Sequence, residues 1–316
     1  MMKKFLLRLA CFLLPVLFVV AGAEAWIRSQ PNVYKYKETW IRANGQRLST
    51  IVLGNSHAYY GLNPSAMGDS TFNLANVSQR YDQDFYLLRR YAPLCPHLRT
   101  VIMVADNSSL FDVPMEYDEN WRLLYYHLYM GYDDPVHRAK YNYELANIAS
   151  FRKKAIRLLG GHGLDCDSLG WGCEYTVQNR SSDALVSWQI KTHDLHDWTS
   201  TRNNVEMLRR IAWWCREHQL RLVLVMTPVS QSYTLQAQSW QLEFVSRVAK
   251  RCTVDFGAVV ADYSCDDRFQ DLDFFDLDHL SDQGARKLSR LLYQEWLSNG
   301  SYATSHFDHE YNATNP

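Results

Sequence analysis

Three features are scarce or missing in this sequence of 316 residues. The formal net charge is only -1, so the bulk charge favours neither nucleic acid nor an anionic membrane surface as a partner. No Cys-x-x-Cys pair occurs, which argues against a zinc ribbon or a thioredoxin-like site. No tandem repeat divides the chain, whose content of 47% hydrophobic and 21% charged residues is ordinary for a globular protein.

The amino terminus carries basic residues followed by an apolar run. Basic side chains within positions 3–8 precede an apolar run over 9–23, the layout of an export signal whose positive end stays in the cytoplasm. The length of this run is intermediate between that of a signal peptide and that of a membrane-spanning helix. Two short segments, Ala21-Gly22-Ala23 and Ala23-Glu24-Ala25, resemble cleavage sites. We interpret residues 1–28 as a retained signal-anchor, with a cleaved signal peptide as the alternative. The rest of the chain is expected on the extracytoplasmic side of the cell membrane, or secreted or periplasmic after cleavage.

Export changes the interpretation of the six cysteines beyond the apolar run. Cys166 with Cys173, or Cys252 with Cys265, are near enough in sequence to form disulfides in an oxidising compartment. Buried free thiols are the alternative, and we prefer it for Cys215, which lies on the apolar face of a predicted helix.

Short apolar runs alternate with helical patterns along most of the chain. The predicted strands cover 51–53, 71–76, 100–105, 221–226 and 259–263, and the predicted helices cover 79–94, 201–219, 236–251 and 282–297. Thr201 or Asn203 could cap the second of these helices. The alternation predicts one doubly wound α/β domain with a parallel sheet over 49–300, after a connector at 29–48 and before a polar tail at 301–316.

The alternation breaks down between residues 106 and 197. This stretch is rich in Tyr, Trp, Gly and Asp, and we interpret it as an insertion with short helices over one edge of the sheet, a lid or a substrate wall. His193 and His196 could be metal ligands, but a solvated loop is preferred because no further ligands are evident. We therefore predict no metal site.

A serine follows the first predicted strand. Gly54 allows a sharp turn there, so that Ser56 would reach the carboxyl edge of the sheet, where open α/β folds place their sites. Asp276 and His279, three positions apart before the last helix, can supply the acid and the base that a serine nucleophile needs. Asp278 is expected to point elsewhere, and His57 is expected to be a structural or rim residue.

Two motifs carry a family resemblance. Gly54-Asn55-Ser56-His57 and Asp276-Leu277-Asp278-His279-Leu280 resemble the first and last blocks of the SGNH (GDSL-like) hydrolase superfamily. The resemblance implies a flavodoxin-like, doubly wound five-stranded parallel sheet, with Ser56 as nucleophile, His279 as base and Asp276 as its orienting acid, and no cofactor. The membrane-anchored layout resembles the branch related to D-alanyl-lipoteichoic acid transfer proteins and alginate O-acetyltransferase-like proteins.

The middle motifs of that superfamily fit less well. It expects a glycine after the second strand and an asparagine after the third, both donating hydrogen bonds to the oxyanion. The corresponding candidates in this chain are Asn76 and Asn107, and the backbone amide of Ser56 could supply another donor. One lost donor typically costs about a hundred- to a thousandfold in rate, so catalysis could be weak or specialised for transfer.

The resemblance implies an exported serine esterase or O-acyltransferase. Its substrate would be acyl esters, acetyl esters above all, of an envelope glycan, with a membrane-embedded acyl donor as a further partner. The alternative is a non-catalytic glycan-binding or assembly scaffold that retains the fold. A soluble periplasmic lipase is disfavoured because no clear apolar lid is present.

Overall fold

The computed structural model describes residues 2–68, 70–112, 121–133, 143–147, 151–152, 154–156, 163–180 and 197–298. The chain divides into two compact units, a helical unit of 1–45 with 114–165 and an α/β unit of 46–113 with 166–316. His193, His196 and the predicted polar tail lie outside the described residues.

The described regular elements are ten α-helices and five strands. The helices are α1 (Met2–Ser29), α2 (Val33–Asn44), α3 (Ser56–Gly61), α4 (Tyr81–Tyr91), α5 (Asn107–Leu110), α6 (Trp121–Met130), α7 (Trp198–Glu217), α8 (Gln231–Gln236), α9 (Ser239–Phe256) and α10 (Asp282–Leu292). The strands are β1 (Thr50–Leu53), β2 (Thr71–Asn73), β3 (Thr100–Val104), β4 (Arg221–Met226) and β5 (Val259–Asp262).

The helical unit contains α1, α2 and α6. With 28 residues, α1 is long and apolar enough to cross a membrane. At about 1.5 Å per residue it is roughly 42 Å long, which exceeds the hydrocarbon core of about 30 Å. Helix α2 occupies most of the predicted connector. It begins there because the Asn32 side chain accepts the N–H groups of Tyr34 and Lys35, and it packs against α6.

The α/β unit is built on a five-stranded, all-parallel sheet in the order β2-β1-β3-β4-β5. Helices α4, α7 and α9 pack side by side, and α10 packs against α3. The predicted doubly wound α/β fold is confirmed. After β1 the chain adds β2 on one side and then crosses to β3 on the other, so a switch point lies between β1 and β3, where Leu53 pairs with Met103.

Some local details differ from the sequence prediction. Helix α7 starts at Trp198 because the Asp197 side chain accepts the N–H of Ser200 at 2.8 Å, so neither predicted cap, Thr201 nor Asn203, serves as one. The predicted strand at 71–76 ends at Asn73. An acceptor earlier in the chain is enough to move a helix start, because the first turn tolerates most residue types.

The cysteine predictions have separate outcomes. Cys215 is a buried thiol in α7, as expected. Cys252 and Cys265 do not pair: the first is buried in α9, whereas the second is exposed after β5. Cys166 is buried and Cys173 exposed.

The turn after β1 depends on Gly54. Its φ is +126°, outside the region that side chains adopt readily. A Cβ at this position would lie 2.8 Å from Val104 Cγ2 and 3.1 Å from Ala58 Cβ. Strands β1 and β3 can therefore stay paired, and the chain can still turn into α3, because this residue has no side chain.

We predict that Gly54→Ala destabilises the protein by roughly 1–3 kcal/mol, because strain and a steric clash act together. Chemical unfolding of the detergent-solubilised full chain would measure the change. Gly61→Ala is the matched control, since its Cβ would meet Leu280 Cδ1 at an ordinary 3.6 Å. Equal stability of the two variants would contradict this account of the turn.

Candidate active site

Two loops at the carboxyl edge of the sheet bring a serine and a histidine together. Ser56 is the first residue of α3, and the Asn55 side chain accepts the N–H of His57 at 2.9 Å to begin that helix. His279 lies in the loop before α10, where its carbonyl accepts the N–H of Phe275 at 2.9 Å. The distance between Ser56 Oγ and His279 Nε2 is 2.8 Å. The two residues are 223 positions apart in the chain.

Asp276 shapes this loop and contacts the imidazole. One carboxylate oxygen accepts the N–H groups of His279 at 2.8 Å and Asp278 at 3.2 Å, the bond pattern of an Asx turn. Both oxygens also lie 3.1 Å from His279 Nδ1. Of the three residues predicted to carry the chemistry, His279 thus contacts both of the others, Ser56 through Nε2 and Asp276 through Nδ1.

Asp278 also contacts the same imidazole, so the expectation that it points elsewhere is wrong. Its Oδ1 lies 3.1 Å from His279 Nδ1, and the residue is only 1% exposed. The turn formed by Asp276 brings the side chain of residue 278 back toward the ring. Two carboxylates therefore face one nitrogen.

His57 lies in the interior rather than at a rim. Its Nδ1 is 2.6 Å from Asp106 Oδ2, and its Nε2 is 3.4 Å from Asp278 Oδ2. The rings of His57 and His279 are 4.7 Å apart between centroids. Sequence reasoning assigned no role to Asp106, although its place directly after β3 was a usable signal.

These contacts shift the acid–base equilibria strongly. Burial disfavours the imidazolium forms, but the neighbouring carboxylates outweigh it and raise the pKa of His57 to about 9 and that of His279 to about 10. Burial likewise opposes ionisation of Asp106 and Asp278, yet the imidazoles hold the pKa of both carboxyls well below their usual range. Both rings therefore favour the protonated form more than an imidazole in water does.

The two predicted oxyanion donors differ in their surroundings. The Asn76 amide donates to Gln79 Oε1 at 3.1 Å and to the Leu74 carbonyl at 3.4 Å. The amide of Asn107 is 5% exposed, and within the described part of the chain neither its nitrogen nor its oxygen has a hydrogen-bond partner. An unpaired buried amide is costly unless a ligand satisfies it, so Asn107 has a donor to offer, whereas the Asn76 amide is already engaged.

An aromatic stack borders the imidazole. The ring of Tyr175 lies between those of Tyr60 and Phe275, with centroid distances of 3.7 and 3.8 Å, and it meets His279 edge-on at 5.4 Å. Tyr175 belongs to the predicted insertion. The Trp171 indole of the same segment donates to the Tyr60 carbonyl at 2.6 Å. This part of the insertion forms a wall beside the site.

His57, Asp278 and His279 place potential metal-ligand atoms within 4.8 Å of one another. A cation on His279 Nδ1 would leave the proton on Nε2, so that His279 could not accept the Ser56 proton. A cation at this position would therefore compete with a proton-accepting role for His279 Nε2, which lies 2.8 Å from Ser56 Oγ.

Comparison with known proteins adds little to this description. No known family model matches the chain, and no curated protein matches it. Two similar solved structures are a candidate platelet activating factor from Streptococcus pneumonia and a lipase/acylhydrolase from Enterococcus faecalis. The first is 11% identical with a TM-score of 0.41, covering 89% of this chain and 98% of that one. The second is 11% identical with a TM-score of 0.36, covering 79% and 96%.

Proposed function

We propose that this chain is a serine ester hydrolase or O-acyltransferase that works through an acyl group on Ser56. The observation that carries the proposal is the 2.8 Å contact between Ser56 Oγ and His279 Nε2, with Asp276 at 3.1 Å behind the ring. A nucleophile, a base and an orienting acid in this order are what acyl transfer by a serine requires. Their chain order and spacing also match the superfamily motifs at both ends of the domain.

The reaction follows from these contacts. His279 Nε2 accepts the Ser56 proton as Oγ attacks the ester carbonyl, and the proton then passes to the alcohol that leaves when the C–O bond breaks. Water or a sugar hydroxyl next attacks the acyl-serine and gives its proton to His279, which passes it to Ser56 Oγ as the bond between the acyl carbon and Oγ breaks. Water as acceptor makes the protein an esterase, and a sugar hydroxyl makes it a transferase.

The pH dependence of this step follows from the base. The neighbouring carboxylates outweigh burial and raise the pKa of His279 to about 10, so the acylation rate should rise with pH until the imidazole has lost its proton. The second candidate function is a non-catalytic glycan-binding scaffold, and the observation that favours it is the Asn76 amide, an oxyanion candidate that already donates to Gln79. The two candidates separate at alkaline pH, where only the enzyme gains activity.

Retention of α1 as a membrane anchor is part of the proposal. The Glu24 carboxylate accepts the N–H groups of Glu144 and Leu145 at 2.9 and 3.0 Å, and Lys154 Nζ donates to the Ile27 carbonyl at 3.0 Å. Cleavage after Ala25 would remove Glu24, and cleavage after position 23 would make it the new terminus. Because the end of α1 is packed into the helical unit, retention is favoured over cleavage.

An anchored enzyme would meet substrates at the outer surface of the membrane. We therefore favour an acylated envelope glycan as substrate, and for the transferase a membrane-embedded protein as acyl donor. The family resemblance and the apolar α1 support this choice.

We predict that a fluorophosphonate labels the detergent-solubilised full chain and that Ser56→Ala abolishes the labelling. Oγ displaces fluoride from phosphorus, so the adduct needs this oxygen and a base. Ser232→Ala, an exposed serine of α8, is the matched control and should label like the parent. Labelling that survives in Ser56→Ala at pH 9–10 would refute Ser56 as the nucleophile.

We predict that Asn107→Ala lowers the acylation rate about a hundred- to a thousandfold, because it removes an oxyanion donor. Its stability should change little, since no hydrogen bond within the described chain is lost. Asn76→Ala should do the reverse, losing stability with the contact to Gln79 and keeping most of the rate. Equal rates for Asn107→Ala and the parent would exclude Asn107 as a donor.

We predict that the mature protein keeps residues 1–28 and fractionates with the membrane. Intact-mass measurement of the detergent-extracted protein checks the first point, and resistance to extraction by alkaline carbonate checks the second. A mature chain that begins at Glu24 or Trp26 would show that the segment is a cleaved signal.

A further inference from the structure

Asp278 lies between two imidazoles. Its Oδ1 is 3.1 Å from His279 Nδ1, and its Oδ2 is 3.4 Å from His57 Nε2. The residue is 1% exposed, so water screens these contacts very little. Each oxygen of this carboxylate thus faces a different ring, and one of those rings is the base of the proposed reaction.

A second carboxylate beside His279 needs a compensating charge. Asp276 already faces the same Nδ1, and two buried like charges repel strongly unless a cation is near. His57 can supply that cation. Its Nδ1 lies 2.6 Å from Asp106, and with a proton on each ring nitrogen it faces a carboxylate on both sides.

The Asp106 side of this chain of contacts is anchored to the sheet edge. Asp106 caps α5 by accepting the N–H of Ser109 at 2.7 Å, and it accepts the Ser108 hydroxyl at 2.9 Å. The amide of Asn55, next to Ser56, lies 3.2 Å from both Asp106 oxygens. The contacts therefore run from the ends of β1 and β3 through His57 and Asp278 to the base.

We propose that Asp278 is a second positioning carboxylate for His279, and that the buried pair of His57 and Asp106 holds Asp278 in place. This inference rests on the proposed function for its kinetic consequences, but the contacts themselves can be tested without catalysis. Among the described residues, the charged groups facing His57 are Asp106, Asp278 and His279. Those facing His279 are Asp276, Asp278 and His57, and the titratable phenol ring of Tyr175 also borders it.

Asp278 and His57 shift the pKa of His279 in opposite directions. The Asp278 charge raises the pKa of His279, so its removal should move the rising limb of the pH–rate profile to lower pH. The His57 charge repels a proton on His279, so its removal should leave that limb in place or move it higher. If Asp278 or His57 had only a structural role, its substitution would lower the amount of folded protein and would not move the rising limb of the pH–rate profile.

The kinetic experiment is the rate of fluorophosphonate labelling from pH 6 to 11 for the full chain and four variants, Asp276→Asn, Asp278→Asn, their double variant and His57→Gln. Exposed residues supply the controls, Asp267→Asn and His97→Gln. We expect Asp278→Asn to shift the rising limb of the pH–rate profile to lower pH by about one pH unit or more. We expect each single Asp variant to lose roughly ten- to a hundredfold at the plateau and the double variant about 10⁴-fold, since either acid can partly orient the ring.

A second readout does not need turnover. In the Ser56→Ala background, ¹⁵N-histidine NMR of the full chain should show His279 titrating at lower pH when Asp278→Asn is added. His57 should remain doubly protonated at pH 7 in the parent and lose that state in Asp106→Asn.

The outcomes separate the two proposals. A parent that is not labelled at any pH, with the NMR shifts as expected, would refute the proposed function and support the contacts. Labelling by the parent with an unmoved limb and an unmoved His279 titration in Asp278→Asn would overturn the inference. Labelling that is lost on chelation and restored by Zn²⁺ would also overturn it, because the cluster would then hold a metal.

Discussion

The balance of buried charge at the β1–β3 edge is the constraint on which the rest of the site depends. Three carboxylates, Asp106, Asp276 and Asp278, meet two imidazoles, His57 and His279, where water has little access. Any one of these charges alone would be expensive to bury, and together they fix the orientation of the ring that faces Ser56. The same balance raises the pKa of His279, because the carboxylates around the ring favour its protonated form more than burial disfavours it.

The backbone makes this meeting of side chains feasible. A parallel sheet with a switch point between β1 and β3 brings the carboxyl ends of both strands to one edge. Gly54 then lets the chain turn within a distance that a side chain would block, and α3 starts with Ser56 at its first position. The last loop adds His279 through a turn that Asp276 closes.

Much of this arrangement could be predicted from sequence, because strands and helices with strong apolar patterns leave clear signals. The five strands followed from apolar runs such as 51–53. The site followed from a serine after the first strand, Ser56, and from an acid three residues before a histidine, Asp276 and His279. The contacts of Asp278 and of His57 with Asp106 could not be predicted, because they depend on loop conformation. The start of α7 was missed because Asp197 competes with several equally suitable caps.

The proposed chemistry requires that Ser56 forms a covalent acyl intermediate. Its most direct test is to mix the full chain with an acetyl ester at pH 9–10, quench in acid, and map any acetylated peptide by mass spectrometry. The account predicts a gain of one acetyl group on Ser56, which increases with pH as His279 loses its proton. Ester turnover without an acyl group on Ser56, or an acetyl group found on another residue, would contradict it.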